Sequence, residues 1–301
     1  MNPLFKLTLL FSLCTFFSCT NANRNATEPG QHVALTTGKD SVPGKKINLR
    51  SFYEPYDLDG MFALYNPGTK TVSIYNKQYY DQAITPASTF NITTSLIALQ
   101  EGILKDSNSL VHFDGTHLSR NPASNKDLPL VYAFQRNIDW AFLKLRQQIG
   151  VQKMNYWIGM LQFANTRQPA DLDTIRKLNG ETDLFHVVPA SLRITPSQQL
   201  EYVQRLYNEQ LPFEKKHTQT VKGMMYIRDL NGYKLFGKQG SYLLLTESKF
   251  IGWHIGWLEK NGKPVFYVNY LQTPDLKHPT IVAAQKEITV KILDSLSRAG
   301  F

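Results

Sequence analysis

The alternation of apolar and polar residues predicts a β-hairpin early in the chain. Residues 61–66 and 71–76 are short runs rich in aromatic and β-branched side chains, and the turn sequence Pro67-Gly68-Thr69 separates them. Three further strands are predicted in the last third of the chain, at 234–236, 252–258 and 265–270.

A helical spacing of apolar residues follows the hairpin and places a serine at the start of a helix. Ile92, Leu96 and Leu99 recur at helical intervals, which predicts a helix from Thr89 to Gly102 directly after Ser88. Further helices are predicted at 131–150, 153–163, 196–207 and 280–297. Strands at both ends of the chain with helices between them predict an α/β (α+β) fold. We expect a central, mostly antiparallel sheet built from both chain ends, with flanking helices and an inserted helical subdomain.

The first residues have the pattern of an export signal. Lys6 precedes the mostly apolar run 7–17, which is too short for a permanent membrane span. Ser18-Cys19 at its end resembles a bacterial lipobox, in which Cys19 would be lipidated, and cleavage after Ala22 is the alternative. We therefore expect a signal peptide at 1–19, a polar, flexible tether at 20–48 and a folded domain at 49–301. The expected location is the periplasm or the cell envelope, with a membrane partner through the lipid anchor.

Composition and charge narrow the classes of function. Of the 301 residues 42% are hydrophobic and 19% charged, which excludes a disordered or fibrous protein. Cys14 and Cys19 are the only cysteines, so the domain after the signal has no disulfide or cysteine-ligated metal. The histidines show no ligand spacing, and no metal or cofactor is expected. The net charge of +9 is scattered along the chain, so no nucleic-acid partner is predicted.

Several local runs together resemble the class D β-lactamases and the related sensor domains of the penicillin-binding serine hydrolases. They are 60–65, 86–90, 95–99, 192–196 and 252–259, and in order they cover about residues 50 to 298. The resemblance implies the β-lactamase/transpeptidase fold and a small ligand that is a β-lactam or is peptidoglycan-like. Activity does not follow from fold alone.

The nucleophile motif of that family is S-x-x-K, and here it is Ser88-Thr89-Phe90-Asn91. In the family the lysine is carboxylated and acts as the base that activates the serine and later a water. Asn91 is no base near neutral pH, so efficient β-lactam hydrolysis by the usual route is not expected.

The other family motifs are altered as well. The second, S-x-V, maps onto Asn137-Ile138-Asp139, the third, K-T-G, onto Lys238-Gln239-Gly240, and the tyrosine-glycine-asparagine motif onto Phe163-Ala164-Asn165. The arginine of the last helix falls near Gln285, beside Lys286. The resemblance thus implies catalytic positions at Ser88, Asn91, Asn137, Asp139 and Lys238, and substrate-binding positions at Gln239, Gly240, Gln285 and Lys286, with His186 as a further candidate.

Three functions remain open on these residues. The first is slow acylation of Ser88, as in a penicillin-binding protein or sensor. The second is a non-catalytic envelope-binding module, in which Asp139 bonds Asn91 and Asn137 and Ser88 caps a helix. The third is a redirected hydrolase with Asp139 as base, Asn91 orienting it, and His186 as a candidate triad member.

Overall fold

A computed structural model describes residues 34–37, 48–115, 119, 121–163 and 192–299. The chain divides into two units, 1–32 and 33–301, and all described residues lie in the second. Across the described ranges, no helix is both long enough and apolar enough to cross a membrane.

Strands from both ends of the chain form one sheet of seven. The strands are β1 (Ala34–Thr37), β2 (Asp59–Asn66), β3 (Thr71–Tyr75), β6 (Tyr226–Leu230), β7 (Tyr233–Leu244), β8 (Lys249–Lys260) and β9 (Lys263–Thr273), while β4 (Leu110–Val111) and β5 (Leu128–Pro129) pair separately. The order in the sheet is β1-β3-β2-β9-β8-β7-β6, and all neighbours are antiparallel except β1 and β3. The hairpin of β2 and β3 thus lies beside the last strand of the chain, which confirms the predicted architecture.

The edge strand β1 lies inside the segment that the sequence predicts to be a tether. Its four residues, Ala-Leu-Thr-Thr, pair in parallel with β3 from Thr71 to Ile74. The prediction of a tether throughout 20–48 is therefore wrong for these residues. Isolated short strands carry little sequence signal, and the open edge of β3 provides the hydrogen-bonding partner.

Eight α-helices lie in the described part of the chain. They are α1 (Arg50–Tyr53), α2 (Asn91–Gln100), α3 (Leu130–Arg136), α4 (Asp139–Ile149), α5 (Val151–Leu161), α6 (Pro196–Tyr207), α7 (Lys215–Met224) and α8 (Ile281–Ala299). The single helix predicted at 131–150 is two, because Asn137 adopts a left-handed conformation with φ of 52° and ends α3. Neither α7 nor β6 was predicted from the sequence.

The sheet has one core on each face. On one face Met61, Trp253 and Tyr270 are buried against helices that include α2 and α4. On the other face Phe62 and Tyr267 are buried against α8. Because side chains alternate along a strand, neighbouring residues of β7 and β8 point to different cores. This alternation decides which motif residues can share a site.

Candidate active site

Ser88 lies in a short 3-10 helix, Ala87–Phe90, that leads into α2. The turn is held from two sides: Thr89 Oγ1 donates to the carbonyl oxygen of Pro86 at 2.6 Å and accepts from Gln199 Nε2 at 2.8 Å. Neither the 3-10 helix nor α2 has a side-chain cap, so Ser88 does not have the predicted capping role. Its side chain is half-buried. The residue is therefore held in place by its neighbours and remains reachable.

The backbone just before Ser88 is strained. Ala87 has φ of 49°, a left-handed conformation that costs a non-glycine residue about 1–2 kcal/mol. Trp253 Nε1 donates to the carbonyl oxygen of Thr85 at 2.9 Å and fixes the chain that enters the turn. Strain of this kind is typical of functional sites, where the surrounding structure maintains it.

Strand β7 runs directly against the turn, and its glycine makes that approach possible. A Cβ atom on Gly240 would lie 2.8 Å from the backbone nitrogens of both Ser88 and Thr89. Real Cβ atoms do not come this close to a backbone, so a side chain here would push the strand and turn apart. The glycine of the third motif therefore sets the distance between β7 and Ser88.

Lys238 lies two residues before Gly240 on the same face of β7 and is only 3% exposed. Its Nζ donates to Asn137 Oδ1, and to the carbonyl oxygen of Gln239 at 3.3 Å. The ammonium group also lies 4.9 Å from the ring centroid of Phe134. Burial lowers the pKa of Lys238 to about 7, although the charge of Asp139 opposes the shift. Near neutral pH this amine can therefore both give and take a proton.

Asn91 is buried and bound by an arginine that the sequence analysis did not single out. Arg146 of α4 donates from Nη1 to Asn91 Oδ1 at 3.2 Å. The arginine is 8% exposed, and burial lowers its pKa to about 10, again opposed by the charge of Asp139. One signal was available: Arg146 stands between Leu143 and Ile149 at intervals of three, a charge in the apolar stripe of a helix.

Asp139 is exposed at the start of α4. Its charge favours the protonated forms of both Lys238 and Arg146. The amide oxygens of Asn91 and Asn137, which the predicted plug would join to Asp139, accept from Arg146 and Lys238. Electrostatically, Asp139 acts as a shared counter-ion to two buried cations.

The predicted substrate-binding residues do not all share a face of the sheet with Ser88. Gln285 is 1% exposed, and its Oε1 accepts from the backbone nitrogen of Trp253 at 3.1 Å. It packs against Gly252, whose Cβ position would lie 3.3 Å from Gln285 Oε1, on the α8 face. Helix α8 thus buries this side chain on the face of the sheet opposite Ser88, and the structure does not bring Gln285 together with Ser88.

Gln239 and Lys286 also belong to the α8 side. Gln239 is directly opposite His254 in the β7–β8 ladder, which puts it on the face away from Gly240. Lys286 is exposed on α8, and its charge adds to the burial that lowers the pKa of His254 to about 3. His254 is thus a neutral packing residue near neutral pH, stacked on Tyr267.

Some predicted positions fall outside the described residues. These are Cys19, Asn165 and His186, which stay predictions. Phe163, the first residue of the fourth motif, is buried and packs on Phe90, with ring centroids 5.6 Å apart. Within the described part of the chain, no group of three or more histidine, cysteine, aspartate or glutamate side chains could hold a metal ion.

A pocket of about 650 Å³ lies between α1 and the ends of β2 and β9. Arg50 and Asp59 are among its lining residues, and Arg50 forms an ion pair with Glu54 at 2.8 Å. None of the predicted site residues lines it. The chemistry around Ser88 therefore does not depend on this pocket.

Comparison with known proteins agrees with the fold. Residues 29–294 match the family model described as the penicillin binding protein transpeptidase domain. The regulatory protein BlaR1 of Bacillus licheniformis is 27% identical over 258 residues, 84% of this chain, and the match spans 40% of that protein's length.

Two solved structures are similar in fold. The class D β-lactamase YbXI from Nostoc has a TM-score of 0.73 at 27% identity and covers 83% of this chain and 99% of its own. The C-terminal domain of the Bacillus licheniformis BlaR penicillin-receptor has a TM-score of 0.71 at 25% identity, with 87% and 96% covered. The chain therefore belongs to the family of class D β-lactamases and penicillin-binding serine hydrolases.

Proposed function

We propose that this protein is a penicillin-binding-type serine protein whose Ser88 is acylated slowly by a β-lactam or a peptidoglycan-like ligand and whose acyl-enzyme is hydrolysed inefficiently. One observation carries the proposal. Gly240 packs against the backbone of Ser88, and Lys238 lies two residues from Gly240 on the same face of β7, while the position of the family's base holds Asn91, whose oxygen accepts from Arg146. A serine held in place and a buried lysine are present, and the family's usual base for acylation and hydrolysis is absent.

Acylation can proceed with Lys238 as the proton acceptor. Ser88 Oγ attacks the carbonyl carbon of the lactam, and its proton passes to the neutral amine of Lys238. The lysine then gives the proton to the lactam nitrogen as the carbon–nitrogen bond breaks, which leaves an ester on Ser88. Because the pKa of Lys238 is about 7, roughly half of the molecules hold the neutral amine at pH 7. This fraction supports a measurable but slow reaction.

Hydrolysis of the ester needs a water that has lost a proton to a base. The carboxamide of Asn91 has no basic atom near neutral pH, and its oxygen already accepts from Arg146. Asp139 is exposed, and its charge acts on the two buried cations. The ester on Ser88 is therefore expected to persist, which suits a receptor better than a drug-destroying enzyme.

Mass spectrometry of the intact protein tests the proposal. After incubation with a penicillin or a carbapenem, we expect a mass gain equal to the drug that lasts for many minutes. Ser88→Ala should abolish the gain, and the matched control Ser51→Ala, an exposed serine, should keep it. No adduct and no consumption of drug would instead favour the non-catalytic envelope-binding module. Rapid drug consumption that depends on Asp139 would favour the redirected hydrolase.

Export and lipidation at Cys19 form part of the proposal, since a receptor for wall-derived ligands or β-lactams must meet them outside the cytoplasm. The lipobox-like Ser18-Cys19 supports it. In cells fed a labelled fatty acid, we expect label on this protein that is lost in Cys19→Ala and kept in the control Cys14→Ala. Equal labelling of both variants would contradict an anchor at Cys19.

A further inference from the structure

Two buried polar side chains from neighbouring helices meet behind Ser88. Asn91 of α2 is 3% exposed and Arg146 of α4 is 8% exposed, and Arg146 Nη1 lies 3.2 Å from Asn91 Oδ1. A charge buried this deeply is costly unless it is bound. The pair is thus part of the buried structure of the fold and not a chance surface contact.

We propose that Arg146 is a positioning residue that works with Asn91 as one unit: it fixes the carboxamide of Asn91 beside Ser88, and it would hold a carboxylate at this position as a weak base. A planar carboxamide has one acceptor and one donor end. Because Arg146 donates to Oδ1, the carboxamide of Asn91 is held in one orientation, with Nδ2 as its donor end. A water that accepts from Nδ2 would not be activated as a nucleophile, which favours a long-lived ester on Ser88.

The charge of Arg146 has a second effect on this position. Its guanidinium stays protonated at neutral pH, because burial lowers its pKa only to about 10. Among the described residues its Nε has no hydrogen-bond partner, so the cluster holds a spare cationic donor. Any carboxylate introduced at position 91 would be bound by this cation and would become a weaker base.

The nearly isosteric change Asn91→Asp is therefore expected to give a carboxylate whose pKa shifts in opposite directions with and without Arg146. With Arg146 in place, the new carboxylate is paired and its pKa falls well below its usual range. With Arg146→Met, the same carboxylate is buried and unpaired, so its pKa rises toward neutral pH. A base is most effective when its pKa lies near the working pH.

Thermal unfolding tests the unit without relying on acylation. At pH 7.5 we expect Asn91→Asp alone to shift the melting temperature by no more than about 3 °C. The same change on the Arg146→Met background should lower it by about 10 °C, the cost of an unpaired buried charge. On the control background Lys144→Met, which removes a partly exposed cation from the same helix, the effect should match the single variant. Equal shifts in melting temperature on all three backgrounds would show that Arg146 and residue 91 do not act as one unit.

The single variant still decides the question if the double variant does not fold. A paired carboxylate with a lowered pKa stays ionised from pH 7.5 down to pH 5, so the difference in melting temperature from the unmodified protein should stay constant over that range. An unpaired carboxylate with a raised pKa would make the variant lose stability as the pH rises. That loss would show that Arg146 does not bind residue 91.

The kinetic consequence rests on the proposed function. The lifetime of the penicillin adduct on Ser88, followed by mass spectrometry, should change less than about threefold in Asn91→Asp and fall at least about tenfold in the double variant. Equal lifetimes in all variants would show that Arg146 does not control hydrolysis. If no variant forms an adduct, the proposed function fails, and the unfolding measurements still decide whether Arg146 and Asn91 are coupled.

Discussion

The cationic side chains of this site differ from ordinary surface charges because they are buried. Lys238 and Arg146 are both deeply buried, and the charge of Asp139 stabilises the protonated form of each. Each cation also has an amide oxygen as acceptor, from Asn137 and Asn91. The two asparagines at changed motif positions therefore have a structural role. Their amide oxygens bind two cations that would otherwise be costly to bury.

The lowered pKa of Lys238 predicts a specific pH dependence of stability. Between pH 7 and pH 10 the unfolded chain keeps a proton on this lysine that the folded protein has released, so the free energy of unfolding rises with pH. The slope is at most about 1.4 kcal/mol per pH unit for one group. Below pH 7 both states are protonated and this contribution is constant.

Urea unfolding at pH 6, 7, 8 and 9 measures this effect, with Lys238→Met as the reference. The difference between the free energies of unfolding of the two proteins should shift in favour of the lysine protein as the pH rises above 7. Lost packing and the unpaired Asn137 oxygen in the variant are independent of pH and leave the slope unchanged. Parallel pH profiles would mean that Lys238 keeps an ordinary pKa.

Contacts between whole elements help to fix Ser88. The 3-10 helix Ala87–Phe90 lies against β7, and the two backbones can approach each other because Gly240 has no side chain. The break between α3 and α4 likewise places Asn137 where its oxygen meets Lys238. Position in the site is thus set by where elements end and cross.

Gly240→Ala should therefore damage the site through the backbone. We expect overpacking to cost about 1–3 kcal/mol of stability, and displacement of Ser88 to slow adduct formation about 100-fold. The matched control is Gly223→Ala on α7, where no atom lies within 4 Å of the new Cβ. That change should leave the rate unaffected and stabilise the helix by up to about 1 kcal/mol. Equal rates in the two variants would contradict the tight approach of β7.

Across the whole molecule, the sheet lies between the candidate active site on one face and one of the two apolar cores on the other. Ser88 and Lys238 belong to the face covered by α2 and α4, whereas α8 packs on the other face through residues such as Ile288 and Ile292. Both faces share the same central strands. A change under α8 can therefore weaken the fold while leaving the arrangement at Ser88 intact.

Ile292→Ala tests this separation. Removing a fully buried isoleucine side chain should cost about 2–5 kcal/mol, seen as a lower urea midpoint. In the absence of denaturant the rate of adduct formation at Ser88 should stay within about twofold of the unmodified protein. Val282→Ala, half exposed on the same helix, should change neither quantity. A large loss of rate in Ile292→Ala would show that the two faces are coupled.

The sequence predicts the sheet and most helices because their hydrophobic patterns are local and strong. The paired strands 61–66 and 71–76 and the helix after Ser88 occur where expected. Predictions failed where distant parts of the chain decide the outcome. β1 needs the free edge of β3. The burial of Gln285 depends on the packing of α8 behind the sheet, which the local sequence does not show.

Residue types and their order predicted the fold family and the replacement of the S-x-x-K lysine by Asn91, because both inferences rest on contiguous motifs. Only the tertiary structure showed which side chain binds the residue at that position. Asn91 and Arg146 are 55 residues apart and meet because α2 and α4 pack together, and Gly240 reaches Ser88 because β7 crosses the turn. Such contacts depend on how elements pack, and no local pattern encodes them.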